Sequence, residues 1–359
     1  MESPLSHLAR SGCVTGLRLV GCWGILASCL AASPAALRWE TLPSLPDREG
    51  FAGAFAGVSG GALIVAGGAN FPEAKPWQGG RKVWHDRVFV LEAPGGSWSV
   101  AGRLPHPLGY GVSASWKGAV VCAGGSEADR HRRDVFTLRY AAGVIALHSL
   151  PELPIALADA AGALVEDQLL ICGGSEGPGM ATGRARLFSL DLSQPATGWH
   201  ELASCPGPGR ILAAAAGLEG TFVLLGGASL SLVEDKIQRT YLQDGWAYRP
   251  DEGWRRLPDL PTPCAAAPSP APVSGSRCYL LGGDDGSRAG LGAVADHPGF
   301  PGGIQVFDLH ANTWAEAGTH PAPRVTLPVV GWKGRWVFPS GESRPGVRSP
   351  EVRTLTINP

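Results

Sequence analysis

Near the C-terminal end of the chain, the stretch SGESRPGVRSPE places a carboxylate, Glu342, six residues before a guanidinium, Arg348, with a second arginine, Arg344, between them. A carboxylate that is partly withdrawn from water beside positive charge has a tunable ionisation and is suited to moving protons. An arginine at that distance can grip an anion through a two-pronged, charge-assisted contact. The same two residues can equally form a plain structural ion pair. No cysteine or histidine spacing in the chain matches a metal site.

These residues fall in the last of a set of related stretches. VAGGANF, CAGGSEA, CGGSEGP, LGGASLS and LGGDDGS each close an apolar run with the pairs Gly67-Gly68, Gly124-Gly125, Gly173-Gly174, Gly226-Gly227 and Gly282-Gly283. Aligned with them, PSGES sets Gly341-Glu342 against the pair and gives the carboxylate the place of the second glycine. The pairs recur every ~50 to 60 residues, a period that marks a repeat architecture. The runs before them (GALIVAGG, GAVVCAGG, DQLLICGG, GTFVLLGG, SRCYLLGG) read as inner strands. A variable polar loop follows each pair, then a second strand such as RVFVLEA or IQVFDLH, and then a tryptophan at Trp98, Trp199, Trp254 and Trp314, with His148 near that place in the second repeat. These tryptophans are expected to pack between repeats, and the glycines to let strands approach closely.

The chain of 359 residues contains 51 glycines and 31 prolines at a formal net charge of −1, which fits a turn-rich all-β protein. The balance offers no basic field, and no Lys/Arg block tracks a phosphate backbone, so nucleic acid is not an expected partner. Arg18, the apolar run from Leu19 to Leu30 and the small residues after it read as an export signal over residues 1–36, too short for a membrane span. LASC, ending at Cys29, also matches a bacterial lipobox, which would leave the protein lipid-anchored; without that anchor it is exported and periplasmic. With Cys13, Cys22 and Cys29 in the leader, the odd remainder of five argues against a disulfide framework. Cys122 and Cys172 are expected as free core thiols.

The repeat resembles the kelch repeat, and six copies imply an all-β, six-bladed β-propeller over residues 37–359. The sixth copy ends before its tryptophan, while LRWETLPSLP at Leu37 to Pro46 holds an unclaimed one. The N-terminal strand should therefore pair into the last blade and close the ring. All loops after the glycine pairs would then open on one end as a bowl. GFAGAFAG, LIVAGGANFP, KPWQGGRKVWHD, GYGVSASWKG and SGESRPGVRSPEV are similar to the N-acetylneuraminate epimerases, or sialic acid mutarotases, in a branch with rotated blade order.

That resemblance implies an isomerase that interconverts the α and β anomers of N-acetylneuraminate by acid/base ring opening and closure, with no cofactor. It makes Glu342 and Arg348 the active pair, Glu342 shuttling the proton and Arg348 holding the substrate carboxylate. Asn70, Lys75, Trp77, Trp84, Arg324 and Arg344 are the substrate-binding candidates, with His85 and Asp86 at the start of the following strand. Asn70 suits a sugar hydroxyl but also an ordinary turn, Trp77 and Trp84 a sugar ring or a pinned loop, and Arg324, like Arg210, a ligand carboxylate or a neighbouring blade. Two other readings use the same bowl: a non-catalytic kelch module for a protein partner, and a site for another acidic or N-acetylated sugar.

Overall fold

The computed structural model describes residues 36–358; the export signal expected over residues 1–36, with Cys29, lies outside the described residues except for Ala36. Within them the repeats form six four-stranded antiparallel sheets. The first four blades run over residues 55–103, 112–149, 158–202 and 214–257, and the fifth over 273–319. Blade six combines Val330–Trp332, Arg335–Pro339 and Val352–Asn358 with Ala36–Leu42 as its outermost strand, Trp39 lying opposite Leu355. The chain is a six-bladed β-propeller closed by its N-terminal strand, as LRWETL implied.

The runs before the glycine pairs are the second strands from the axis, not the innermost. In blade one Ala62–Ala66 is buried at every residue, and the strand inside it, Phe55–Ser59, carries the small residues Ala56, Gly57 and Ser59. Narrow side chains are required where six strands converge on one axis. There is no single core: six apolar clusters each fill the wedge between two neighbouring blades, such as the one joining Val223 and Leu225 of blade four to Leu280 and Phe307 of blade five. Each fully buried Leu or Phe contributes ~1.5–3 kcal/mol, so every blade is held by both neighbours. Cys122, Cys172, Cys205, Cys264 and Cys278 are buried free thiols in these layers.

The tryptophans clamp blade to blade. Trp98, Trp199, Trp254 and Trp314 donate their indole N–H to the carbonyls of Pro43, Pro151, Ala203 and Pro258, each in the turn that ends the preceding blade, at 2.7 to 3.0 Å. In blade two the equivalent of Trp199 is Leu147, not His148. Leu147 pairs with Leu138 as Trp199 pairs with Leu190, and His148, one residue on, faces out because alternate residues of a strand face opposite sides.

Backbone geometry also moves the alignment of the sixth glycine pair by one residue. Gly67, Gly124, Gly173, Gly226 and Gly282 are left-handed (φ +56° to +79°), and the blade-six residue in that state is Ser340 at +64°, followed by Gly341 at +104°. Gly67 N–H donates to Arg87 O across the blade, and Ser340 N–H donates to Glu351 O in the same way. The substituted glycine is therefore the first, and the substitute is a serine. Glu342 follows the pair, at the position of Ala69, Ser126, Ser175, Ala228 and Asp284, where a side chain is normally present. A Cβ on Gly341 would lie 3.0 Å from Leu327 Cδ2 and 3.1 Å from Arg324 Cβ, so it is Gly341 that must stay bare.

Ser340 offsets its unfavourable φ with its hydroxyl. Fully buried, Oγ accepts from Phe51 N–H at 2.6 Å and donates to Ser349 O at 2.7 Å, tying the first and last segments of the ring. Ser340→Ala leaves both backbone groups unpaired, and an unpaired buried group costs ~1–3 kcal/mol. The expected loss is ~2–3 kcal/mol in urea unfolding, with a smaller loss for Ser340→Gly, which relieves the left-handed strain; equal midpoints for wild type and Ser340→Ala would refute this role.

Candidate active site

One residue per blade, at or ahead of the start of the innermost strand, has a left-handed backbone: Gly53, Tyr110, Asp159, Leu212, Ala266 and Thr326, at φ +56° to +64°. Their peptide groups form a closed ring around the axis. Tyr110 N–H donates to Gly53 O, Asp159 to Tyr110, Leu212 to Asp159, Ala266 to Leu212, Thr326 to Ala266, and Gly53 back to Thr326, at 2.7 to 2.9 Å. Below the ring is a narrow channel of about 70 Å³. Above it opens a bowl of about 510 Å³, within the ~300–1,000 Å³ usual for small-ligand sites.

All six post-glycine loops reach the bowl, supplying Lys82 and Trp84, Glu127 and His131, Pro178, Arg239 and Tyr241, Asp284 and Phe300, and Glu342 and Arg348, over a floor that includes Tyr110, Asp159, Leu212, Ala266 and Thr326. Glu342 and Arg348 meet because they belong to a small hairpin, Glu342–Arg344 paired with Val347–Arg348, turned at left-handed Gly346. Glu342 Oε1 accepts from Gly346 N–H at 2.7 Å and from Arg348 Nη1 at 2.9 Å. The two side chains are only 16% and 4% exposed, so the pair is a desolvated, fixed unit on the wall. Arg348 lies with its guanidinium carbon 4.9 Å from the centre of the Phe71 ring, and its buried Nε has no partner.

Among the other expected residues only Trp84 lines the bowl. Its indole donates to Ser126 Oγ at 3.2 Å, and Lys82 lies 5.0 Å over its ring and 4.9 Å over that of Tyr110. Asn70 is buried away from the bowl in a structural knot: its amide donates to Gly50 O and Asp47, and His85 Nε2 bonds its oxygen at 2.8 Å. Lys75 is paired with Glu49, and Trp77 packs beside Gly346 and is not part of the bowl lining. Arg344 donates to Ala295 O at 2.7 Å, bracing the blade-five loop. Arg324 is a buried bolt bonded to Ser340 O, Glu351 O and the Glu351 carboxylate, as Arg210 is to Gly226 O and Asp244.

Lys82, Tyr110, His131, Asp159, Arg239, Tyr241 and Asp284 were not singled out from the sequence. Burial and a hydrogen bond to Asp284 at 2.8 Å push the Tyr241 hydroxyl up to about 12, so it stays protonated. The floor residues did carry a signal, since each ring residue precedes its glycine pair by the same interval in five of the six repeats.

The fold and the site together define a kelch-type propeller with a one-sided bowl, built around a carboxylate held by an arginine and lined also by Lys82 and Arg239. The family model for N-acetylneuraminate epimerase matches residues 27–147 and 150–288, and the chain belongs to that family. A Haemophilus influenzae (strain 86-028NP) protein named N-acetylneuraminate epimerase is 40% identical over 103 residues, 25% of this chain and 27% of that protein. Its namesake in Yersinia pestis (strain Pestoides F) is 42% identical over 106 residues, 25% of this chain and 26% of that protein. The chain thus spans about a quarter of the length of these curated relatives. The solved structure of YjhT superposes with a TM-score of 0.64 over 89% of this chain and 97% of that one at 17% identity, which shows the shared fold. Glu342 and Arg348 lie beyond the matched segments.

The division between bolts and bowl residues is measurable. Arg324→Gln should lower unfolding free energy by ~2–3 kcal/mol through its lost charge-assisted bonds, while ligand affinity of the folded protein changes less than about twofold. A large affinity loss at unchanged stability would return Arg324 to the binding site.

Proposed function

We propose that this protein is an isomerase that interconverts the α and β anomers of N-acetylneuraminate in the bowl. The observation that carries the reading is the Glu342 unit: one carboxylate oxygen is fixed by Gly346 and Arg348, while Oε2 takes no hydrogen bond among the described residues and is left for a ligand. Family membership supports the substrate class. The short coverage of the curated relatives is what a rotated blade order would produce, since a linear alignment of two such chains breaks at the point of rotation.

Anomer interconversion needs a base to take the proton of the anomeric hydroxyl, an acid to protonate the ring oxygen as the ring bond breaks, and reclosure on the other carbonyl face. Glu342 is the base. The Arg348 guanidinium is largely buried and already bound to Glu342, so its main part is to hold the carboxylate in place. The substrate carboxylate then falls to Lys82 and Arg239, which line the bowl and make no ion pair within 4 Å among the described residues. Trp84 offers a ring face for the sugar. The leader would carry the protein out of the cytoplasm and into a bacterial periplasm; fractionation of cells expressing the full chain, with and without Cys29→Ser, tests export and lipid attachment.

Proton NMR of freshly released α-N-acetylneuraminate should show faster appearance of the β anomer with protein than with buffer. Glu342→Gln should lower that acceleration by ~10²–10⁴, and Lys82→Met should raise KM more than it lowers kcat. Coincident wild-type and buffer traces would sink the reading, and a panel of other sugar acids would then be the next ligands to titrate.

A further inference from the structure

We propose that Asp159, across the bowl from Glu342, is the second proton-transfer group, giving a proton to the ring oxygen on opening and recovering it on closure. This rests on the anomer-interconversion reading above and adds the acid that reading requires.

Position is the first argument. Around the backbone ring Asp159 and Thr326 are three steps apart in a cycle of six, hence on opposite sides of the axis. Val325, next to Thr326, exchanges both backbone hydrogen bonds with Glu342 at 2.9 and 3.0 Å, so Glu342 rises from the Thr326 side. Both carboxyl groups line the same cavity. A sugar ring lying between them presents its anomeric hydroxyl to one and its ring oxygen to the other.

Environment is the second. Glu342 is held by two donors, whereas the Asp159 side chain accepts no hydrogen bond among the described residues. Asp159 is half-buried on the floor of the bowl, and a carboxylate partly withdrawn from water without donors is disfavoured relative to the neutral acid. Burial lifts this carboxyl above its ordinary range, against the opposing pull of His131, Lys82 and Arg239. The other ionisable groups on the cavity are the acidic Glu127, Glu342 and Asp284, the phenols of Tyr110 and Tyr241, and Arg348, whose charge is engaged by Glu342. A bound sugar acid adds a further negative charge and offsets the cations, which again favours the protonated form. Two floor positions, Leu212 and Ala266, carry no proton to give.

The step balances. Glu342 takes the hydrogen of the anomeric hydroxyl, and the electrons of that O–H bond form the carbonyl. The ring C–O bond breaks with its pair on the ring oxygen, which takes the proton of Asp159. After rotation the hydroxyl so formed adds to the other face of the carbonyl, returning its proton to Asp159, while the carbonyl oxygen takes the proton from Glu342. Both groups end as they began.

Asp159→Asn tests this without disturbing the ring, which is made by peptide groups, and Asn tolerates a left-handed backbone. In the NMR assay, with buffer rates subtracted, kcat should fall ~10²-fold or more, while thermal unfolding and saturation-transfer binding of the sugar stay as in wild type. Because the donor must carry its proton, the wild-type rate should fall as pH rises through the raised Asp159 pKa, and Asp159→Asn should lack that alkaline limb. A kcat within about threefold of wild type, or loss of the limb in Tyr110→Phe but not in Asp159→Asn, overturns the proposal. If Glu342→Gln is impaired and Asp159→Asn is not, this inference alone fails; if wild type does not outpace buffer, the anomer reading fails as well.

Discussion

The site depends on the closed cycle of six peptide hydrogen bonds at the base of the bowl. Each N–H donates to the ring residue of the preceding blade, and the last link, Gly53 to Thr326, joins the two ends of the repeat array. A cycle of this kind has no free donor or acceptor, so it satisfies backbone groups that would otherwise be stranded at a narrow, partly dry channel mouth. Its requirement is conformational: every member must be left-handed. Five of the six positions meet that requirement without glycine, at a cost of order 1–2 kcal/mol each by the usual steric estimate. The wedge-shaped clusters between blades supply the packing that holds them there.

A fixed ring makes a fixed floor, and the loops after the glycine pairs are fixed relative to it by the next contacts along the chain. Ala52 pairs with Ala69, Ile211 with Ala228, Ala265 with Asp284 and Val325 with Glu342, so the residue after each glycine pair stands beside the ring. Glu342 inherits its place from this rule. Arg348 reaches it because a tight hairpin turns at Gly346, and the Gly346 N–H takes part in holding the same oxygen. Such preorganisation leaves little to rearrange when a ligand arrives.

Much of this could be read from the chain because repeats expose what a single copy hides. The period of the glycine pairs gave six blades, and the orphan tryptophan of LRWETL gave the closure. Resolution failed at the level of one residue. PSGES holds a single glycine and so reads as though that glycine were the first of a pair, whereas backbone torsion places Ser340 there, a serine kept by two hydrogen bonds that no local pattern announces. His148 is one residue away from the wedge for a similar reason, since strand register, not similarity of residue type, decides which side chain enters it. Asn70, Lys75 and Arg324 were attractive as isolated polar residues, yet their partners Gly50, Glu49 and Glu351 come from separate segments, which only the fold brings together. Asp159 and Tyr110 lay in plain apolar context, LADAAG and LGYGV, and became visible once the ring gave those positions a meaning.

Symmetry then separates architecture from chemistry. What recurs from blade to blade is structural: the indole clamps, the left-handed ring residue, and the pair of bolts in which Arg210 and Arg324 reach the carbonyls of Gly226 and Ser340 and then a carboxylate. Glu342, Asp159 and Lys82 have no such echo at their equivalent positions in most blades, so no demand of the propeller explains them. A ring of backbone bonds is indifferent to the side chains that it carries, provided they tolerate the torsion. That indifference lets one floor hold a glycine, an aspartate, an alanine and a leucine, and a symmetric scaffold can therefore bind an asymmetric ligand in a single orientation.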